Sequence, residues 1–148
     1  MRPVGFVRSP RREPIDDDWG SVESVIELED AFGPEALQGL ADFSHVEVVY
    51  SFHLVPDDAV SVGARRPRGN PAWPEVGIFA QRGKDRPNRI GVSVCSVVSV
   101  SGTAVRVRGL DAIDGSPVLD LKPYLRQFAP RGPVRQPGWV DELMAEYW

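Results

Sequence analysis

Between Arg65 and Arg89, seven cations (Arg65, Arg66, Arg68, Arg82, Lys84, Arg86 and Arg89) stand against two acids, Glu75 and Asp85. Such an excess suits an anionic ligand, because guanidinium groups present forked donors to carboxylates and phosphates. A solvated basic loop accounts for the same charges equally well. Polar residues also gather where strands should end. Phe79-Ala-Gln-Arg82 runs into Gly83-Lys-Asp85 and then Arg86-Pro-Asn-Arg-Ile-Gly91, and Gly109-Leu-Asp-Ala-Ile-Asp-Gly-Ser-Pro117 precedes Asp120-Leu-Lys-Pro-Tyr124. Loops joining strands are where ligand-binding groups collect. Asp-Gly and Pro-Asn at these ends are also ordinary turn formers.

Several familiar sites are missing. The chain has no G-x-G-x-x-G, no G-x-x-x-x-G-K-[ST], no H-E-x-x-H and no G-x-S-x-G, which removes the common dinucleotide, P-loop, zincin and hydrolase readings. His45 and His53 are the two histidines, and eight positions along a strand at about 3.3 Å per residue keeps them from sharing a metal. No metal site is expected. Cys95, the single cysteine, lies in an apolar run and reads as a buried structural thiol; alone it makes no disulfide.

A scaffold of 148 residues with 42% apolar and 26% charged side chains and a mean hydropathy of -0.23 fits one globular domain, residues 1–148. No apolar run is long enough to span a bilayer and the N-terminus has no apolar signal region, so a cytoplasmic location and no membrane partner are expected. The net charge of -4 hides a segregation: Glu13 to Asp42 holds ten acids and no Lys or Arg. Fourteen glycines and 14 prolines favour short strands and turns over long helices. Alternation marks strands at 3–9, 24–30, 44–55, 75–81, 90–100, 103–110 and 117–124. In the clearest of these Val46, Val48, Tyr50, Phe52 and Leu54 share one face. Ser101-Gly102 predicts a hairpin turn, 34–40 a short helix opened by Pro34, and 138–148 a C-terminal amphipathic helix through Val140, Leu143, Met144 and Tyr147. The expected class is therefore mainly β: a small antiparallel barrel of about seven strands, one short helix and a C-terminal helix.

Five segments occur here in the order found in one known family: Val4-Gly-Phe-Val-Arg-Ser-Pro10, Gly39-Leu-Ala-Asp-Phe-Ser-His45, Gly77-Ile-Phe-Ala-Gln-Arg82, Arg86-Pro-Asn-Arg-Ile-Gly91 and Leu110-Asp-Ala-Ile-Asp-Gly-Ser-Pro-Val-Leu-Asp-Leu-Lys-Pro-Tyr124. The chain resembles the TrmO (TsaA-like) family of S-adenosylmethionine-dependent tRNA methyltransferases over nearly its whole length. That resemblance implies a small β-barrel acting as a homodimer, with S-adenosylmethionine as cofactor. It also implies methylation of the N6 nitrogen of threonylcarbamoyladenosine beside the anticodon of threonine tRNA, and no DNA partner. Carried over by position, the cofactor site would include His53, Leu54, Arg82, Arg86, Asn88, Leu110 and Asp111, with Asp111 or Asp114 either taking the proton or capping a turn and holding a ribose hydroxyl. Arg65, Arg66, Arg68, Trp73, Lys84 and Arg89 would face RNA, with Trp73, in a proline-rich loop, either stacking on an anticodon-loop base or covering part of the core. Three departures stand out: Asn88-Arg89 replaces the usual RPNP ending, Ser116 stands in the usual DGTP, and acidic Glu13 to Asp18 replaces an early basic stretch. The C-terminal domain of longer members is not among these residues. An S-adenosylmethionine-dependent methyltransferase with another acceptor and a non-catalytic cofactor-binding dimer are the competing readings.

Overall fold

A computed structural model describes residues 1–148. Six strands close into an antiparallel barrel: β1 (Gly5–Arg8), β2 (Glu23–Leu28), β3 (His45–Ser51), β6 (Ile90–Ser101), β7 (Ala104–Arg108) and β8 (Pro117–Pro123). Around the barrel the order is β1-β2-β7-β6-β3-β8, and β8 returns to β1. Period-two alternation explains the closure. In β7, Val105 and Val107 are fully buried while Arg106 and Arg108 point outward, where both pair with Glu23 of neighbouring β2. Val7, Ile26, Leu37, Val46, Val48, Tyr50, Cys95, Leu110, Ala112 and Val118 complete the core. Burying each such aliphatic side chain contributes about 1.5–3 kcal/mol. Register shifts in the β3–β8 pair at Val49/Tyr50 and in the β6–β7 pair at Val97/Ser99 bend the strands as barrel closure requires. Ser101 pairs with Ala104, so the hairpin loop is Gly102–Thr103, with Gly102 at φ +57°.

The seventh strand candidate, 75–81, lies outside the barrel. Only Val76–Gly77 (β5) is extended, paired with Ala64–Arg65 (β4), and a 3-10 turn over Ile78–Ala80 follows. Proline explains the shortness: Pro67, Pro71 and Pro74 lie between the two strands and cannot donate to a ladder. The expected short helix is instead two 3-10 turns, Pro34–Leu37 and Leu40–Asp42, separated by Gly39 at φ +85°. β3 also stops earlier than its alternation suggests. Phe52 N–H bonds to Arg89 O and Val55 N–H to Phe52 O, so His53 and Leu54 form a turn and Leu54 is 58% exposed. The C-terminal helix α1 spans Gly138–Met144, and no helix is long and apolar enough to cross a membrane.

Candidate functional site

One end of the barrel gathers the C-terminal ends of β1, β3 and β7, the start of β6 and the Gly109–Ser116 connection. Asp111, in that connection, is its focus. Its Oδ1 accepts the Tyr50 phenol at 2.9 Å and the Ser93 hydroxyl, and its Oδ2 accepts the Tyr147 phenol. Tyr50 and Ser93 come from adjacent barrel strands, and the sequence folds this way because Gly91 lies opposite Tyr50 in the ladder. A Cβ on Gly91 would stand 2.4 Å from Tyr50 Cζ, so only glycine leaves the ring its place. Burial, together with the Asp111 charge, pushes both phenols well above their usual range, which keeps them donors. The same two causes, burial first, push the Cys95 thiol up to about 12. Cys95 is the inert buried thiol its sequence context implied.

Tyr147 reaches this point because the tail pairs with the segment that precedes β2: Asp18 N–H bonds to Glu146 O and Trp19 N–H to Tyr147 O, each at 2.8 Å. Helix α1 is anchored separately. Trp73 is buried, donates its indole N–H to Glu142 Oε2 at 2.7 Å and packs against Trp139. Its face is thus taken by the chain itself, which corrects the stacking role expected for it in favour of core cover.

Asp114 caps the next turn. Its Oδ1 accepts Ser9 N–H at 3.0 Å, its own N–H bonds to Arg11 O, and Gly115 at φ +79° completes the turn. Only Oδ2 remains unpartnered. His53, exposed in its turn, borders this element: its Nε2 lies 3.8 Å from where a Gly115 Cβ would be. Arg82 is exposed and bonds through Nη2 to Val92 O at 2.6 Å, leaving its remaining donors open. Arg86 Nη1 donates to Gln81 O, and Asn88 is exposed at the tip of the Arg86–Arg89 turn, which is closed by Arg89 N–H to Arg86 O at 2.9 Å. Leu110, expected at the cofactor site, is fully buried in the core beside Asp111. The N–H groups of Leu110, Asp111, Ala112 and Ile113 bond to no group of the chain.

The basic segment is largely self-neutralised. Arg65 pairs with Asp85, Arg68 with Asp16 and Asp17, and Arg89 with Asp57, while Arg66 is held by the carbonyls of Pro71 and Trp73. Lys84 is free of such partners. A surface depression of about 690 Å³ lies elsewhere, lined by Asp18, Gly20, Ser21, Glu23, Arg108 and Trp148. Glu23 and Arg108 on its wall satisfy one another, and it contains none of the expected site residues.

Comparison with known proteins places the chain in a family. Residues 8–129 match the model of the tRNA-methyltransferase O N-terminal domain. The chain belongs to the TrmO family. A relative from Pyrococcus abyssi, named a probable S-adenosyl-L-methionine-binding protein, is 35% identical over 95% of this chain and 76% of its own. One from Methanothermobacter thermautotrophicus with the same description is 39% identical over 84% of this chain and 88% of its own. The mouse tRNA (adenine(37)-N6)-methyltransferase is 40% identical over 63% of this chain but only 21% of its own length. A crystal structure of TrmO superposes with a TM-score of 0.73 at 30% identity, over 91% of this chain and 59% of that one. A structure of TrmO from Pseudomonas aeruginosa superposes with a TM-score of 0.72 at 29% identity, again covering 91% of this chain and 60% of the other. The chain therefore spans about three fifths of the length of these two TrmO chains. Within the family pattern, the Arg89 departure has structural content: φ is +51° there and its N–H closes the turn, and proline permits neither.

Proposed function

We propose that this TrmO-family chain is an S-adenosylmethionine-dependent tRNA methyltransferase acting on the N6 nitrogen of threonylcarbamoyladenosine beside the anticodon of threonine tRNA. The observation that carries the reading is the family match over residues 8–129, which includes Tyr50, Ser93, Asp111 and Asp114. The local donor set fits the cofactor. Arg82 offers open guanidinium donors to a carboxylate, Asp111 Oδ2 has room for one more hydroxyl or ammonium donor, and the unpaired N–H groups of the half-buried Asp111 and Ile113 suit acceptor atoms of an adenine. His53, Leu54, Arg86 and Asn88 border the same end.

Bound S-adenosylmethionine supplies a methyl group already activated by its sulfonium, so orientation is the main task of the protein. Asp111, held by three hydroxyl donors, fixes the ligand with little freedom of its own. The acceptor nitrogen loses a proton as it gains the methyl group. Between the two carboxylates, Asp114 is the one with an unpartnered oxygen, and we assign it, or a water it holds, as proton acceptor. We propose a homodimer, since a barrel of this size gains buried area by pairing, and Val94 and Val98 stand outward on β6, 45% and 41% exposed. A cytoplasmic setting accords with a tRNA substrate.

Incubating the pure protein with total tRNA and methyl-labelled cofactor, followed by nucleoside mass spectrometry, tests the activity. One methyl group on a modified adenosine supports it. Labelled cofactor bound without label in any nucleoside would favour the second reading, cofactor binding without RNA methylation, which the names of the two archaeal relatives motivate.

A further inference from the structure

β8 ends at the barrel end opposite Asp111: Pro123 pairs with Val46, and Tyr124 N–H bonds to His45 O at 3.0 Å. Helix α1 and the tail, by contrast, serve the Asp111 end, through Glu142 on Trp73 and Tyr147 on Asp111. Residues 125–137 must therefore travel the length of the barrel. They do so as an arm. Every one of them except Ala129 is exposed, and their few hydrogen bonds are local, such as Phe128 N–H to Leu125 O and Gln136 to Asp141. Pro130, Pro133 and Pro137 hold the arm extended.

Its charge is one-sided. The arm carries Arg126, Arg131 and Arg135 and no acid, in a chain whose net charge is -4. Six basic side chains in the protein make no ion pair or hydrogen bond, Arg2, Arg12, Lys84, Arg126, Arg131 and Arg135, and half of them are on this one segment. The segment from Arg65 to Arg89, by comparison, spends three of its cations on Asp85, Asp16, Asp17 and Asp57. All three arm cations are arginine, whose planar fork matches phosphate oxygens. Phe128, 79% exposed, lies two residues from Arg126 and offers a face for base stacking. From Arg126 to Arg135 an extended chain reaches at most about 30 Å, enough to meet several phosphates.

We propose that the arm 125–137 is an RNA-docking surface, with Arg126, Arg131 and Arg135 on backbone phosphates and Phe128 against an unpaired base. The proposal rests on the tRNA reading and names the surface that holds the RNA while the Asp111 end holds the cofactor. Charge, the exposed aromatic and the lack of ties to the barrel all point to a polyanion with accessible bases rather than to an acidic lipid surface.

The test measures binding of a fluorescent anticodon stem-loop RNA by anisotropy between about 50 and 200 mM salt. Replacing Arg126, Arg131 and Arg135 together by alanine should flatten the log-log salt slope by about 2, three contacts at about 0.7 each, and weaken low-salt binding at least about tenfold. The corresponding triple lysine variant should keep the slope. Phe128→Ala should keep the slope and weaken binding about tenfold at every salt concentration. Affinity for S-adenosylmethionine should not change in any of them. If the triple alanine chain does not fold, Arg131→Ala alone must still flatten the slope by about 0.7. An unchanged slope in the alanine variants overturns the proposal, as does a parent chain that binds phosphatidylserine vesicles but no RNA. Methyl transfer is scored separately: a parent that binds RNA through the arm but transfers no methyl group contradicts the function and not the arm, whereas full transfer with an unchanged slope contradicts only the arm.

Discussion

The phenol of Tyr147 donates to Asp111 across 36 residues of chain, fastening the C-terminal tail to the centre of the proposed cofactor site. Tyr147→Phe keeps the ring and its edge contact with Trp148 but removes the donor. A hydrogen bond to a charged group is worth about 1.5–3 kcal/mol, and partial exposure places this one at the lower end. Urea unfolding should show a loss of about 1–2 kcal/mol together with weaker S-adenosylmethionine binding. Parent-like stability would mean that the tail does not dock on Asp111.

Alkaline stability follows from the raised thiol and phenols. A group whose folded pKa lies above its unfolded value supports the fold fully below the unfolded pKa and loses that support as pH rises toward the folded one. Cys95 ionises near 8.5 when unfolded but at about 12 when folded. Stability should therefore decline from about pH 9, by at most about 1.4 kcal/mol per pH unit for one proton. Tyr50 and Tyr147 steepen the decline above about pH 10. Cys95→Ala should abolish the part between about pH 9 and 10, read from urea midpoints against pH. A midpoint that still falls there in the variant would assign the loss to another group.

The turn at Arg89 distinguishes backbone from side chain. Arg89→Pro meets φ +51° and a required N–H, and should cost about 3 kcal/mol or more. Arg89→Asn tolerates the left-handed backbone and loses only the guanidinium bonds to Val55 O and Asp57, which should cost about 1 kcal/mol. Equal thermal shifts for the two variants would show that the turn relaxes freely.

What the sequence made legible follows from distance along the chain. Alternation exposes Val46, Val48 and Tyr50, or Val105 and Val107, because each strand's own residues sort by face. It fails at Leu54, where a local turn outranks the pattern, and at 75–81, where proline leaves only Val76–Gly77 paired. Asp111 and Asp114 stand out as polar residues at a strand end. Their separate roles do not, since Asp114 is committed by Ser9 and Asp111 by Tyr50, Ser93 and Tyr147, all distant in the chain. The pairing of Trp73 with Glu142 is likewise invisible without the path of the arm.

Cofactor binding should appear as thermal stabilisation. A ligand at about 100 times its Kd adds roughly 2.7 kcal/mol, so S-adenosylmethionine should raise the Tm while NAD and ATP leave it unchanged. Arg82→Ala should reduce that rise by removing the carboxylate partner, with little effect on the unliganded Tm because Arg82 is exposed. An undiminished rise would exclude Arg82 from the site.

The central claim is that this barrel transfers a methyl group to a modified adenosine, and the most direct measurement compares two threonine tRNAs of one sequence, with and without threonylcarbamoyladenosine. Selectivity must come from hydrogen bonds that an unmodified adenine cannot make. The account predicts one methyl group per modified tRNA by nucleoside mass spectrometry and almost none on the unmodified transcript. Equal methylation of both, or of neither with S-adenosylmethionine still bound, would contradict it.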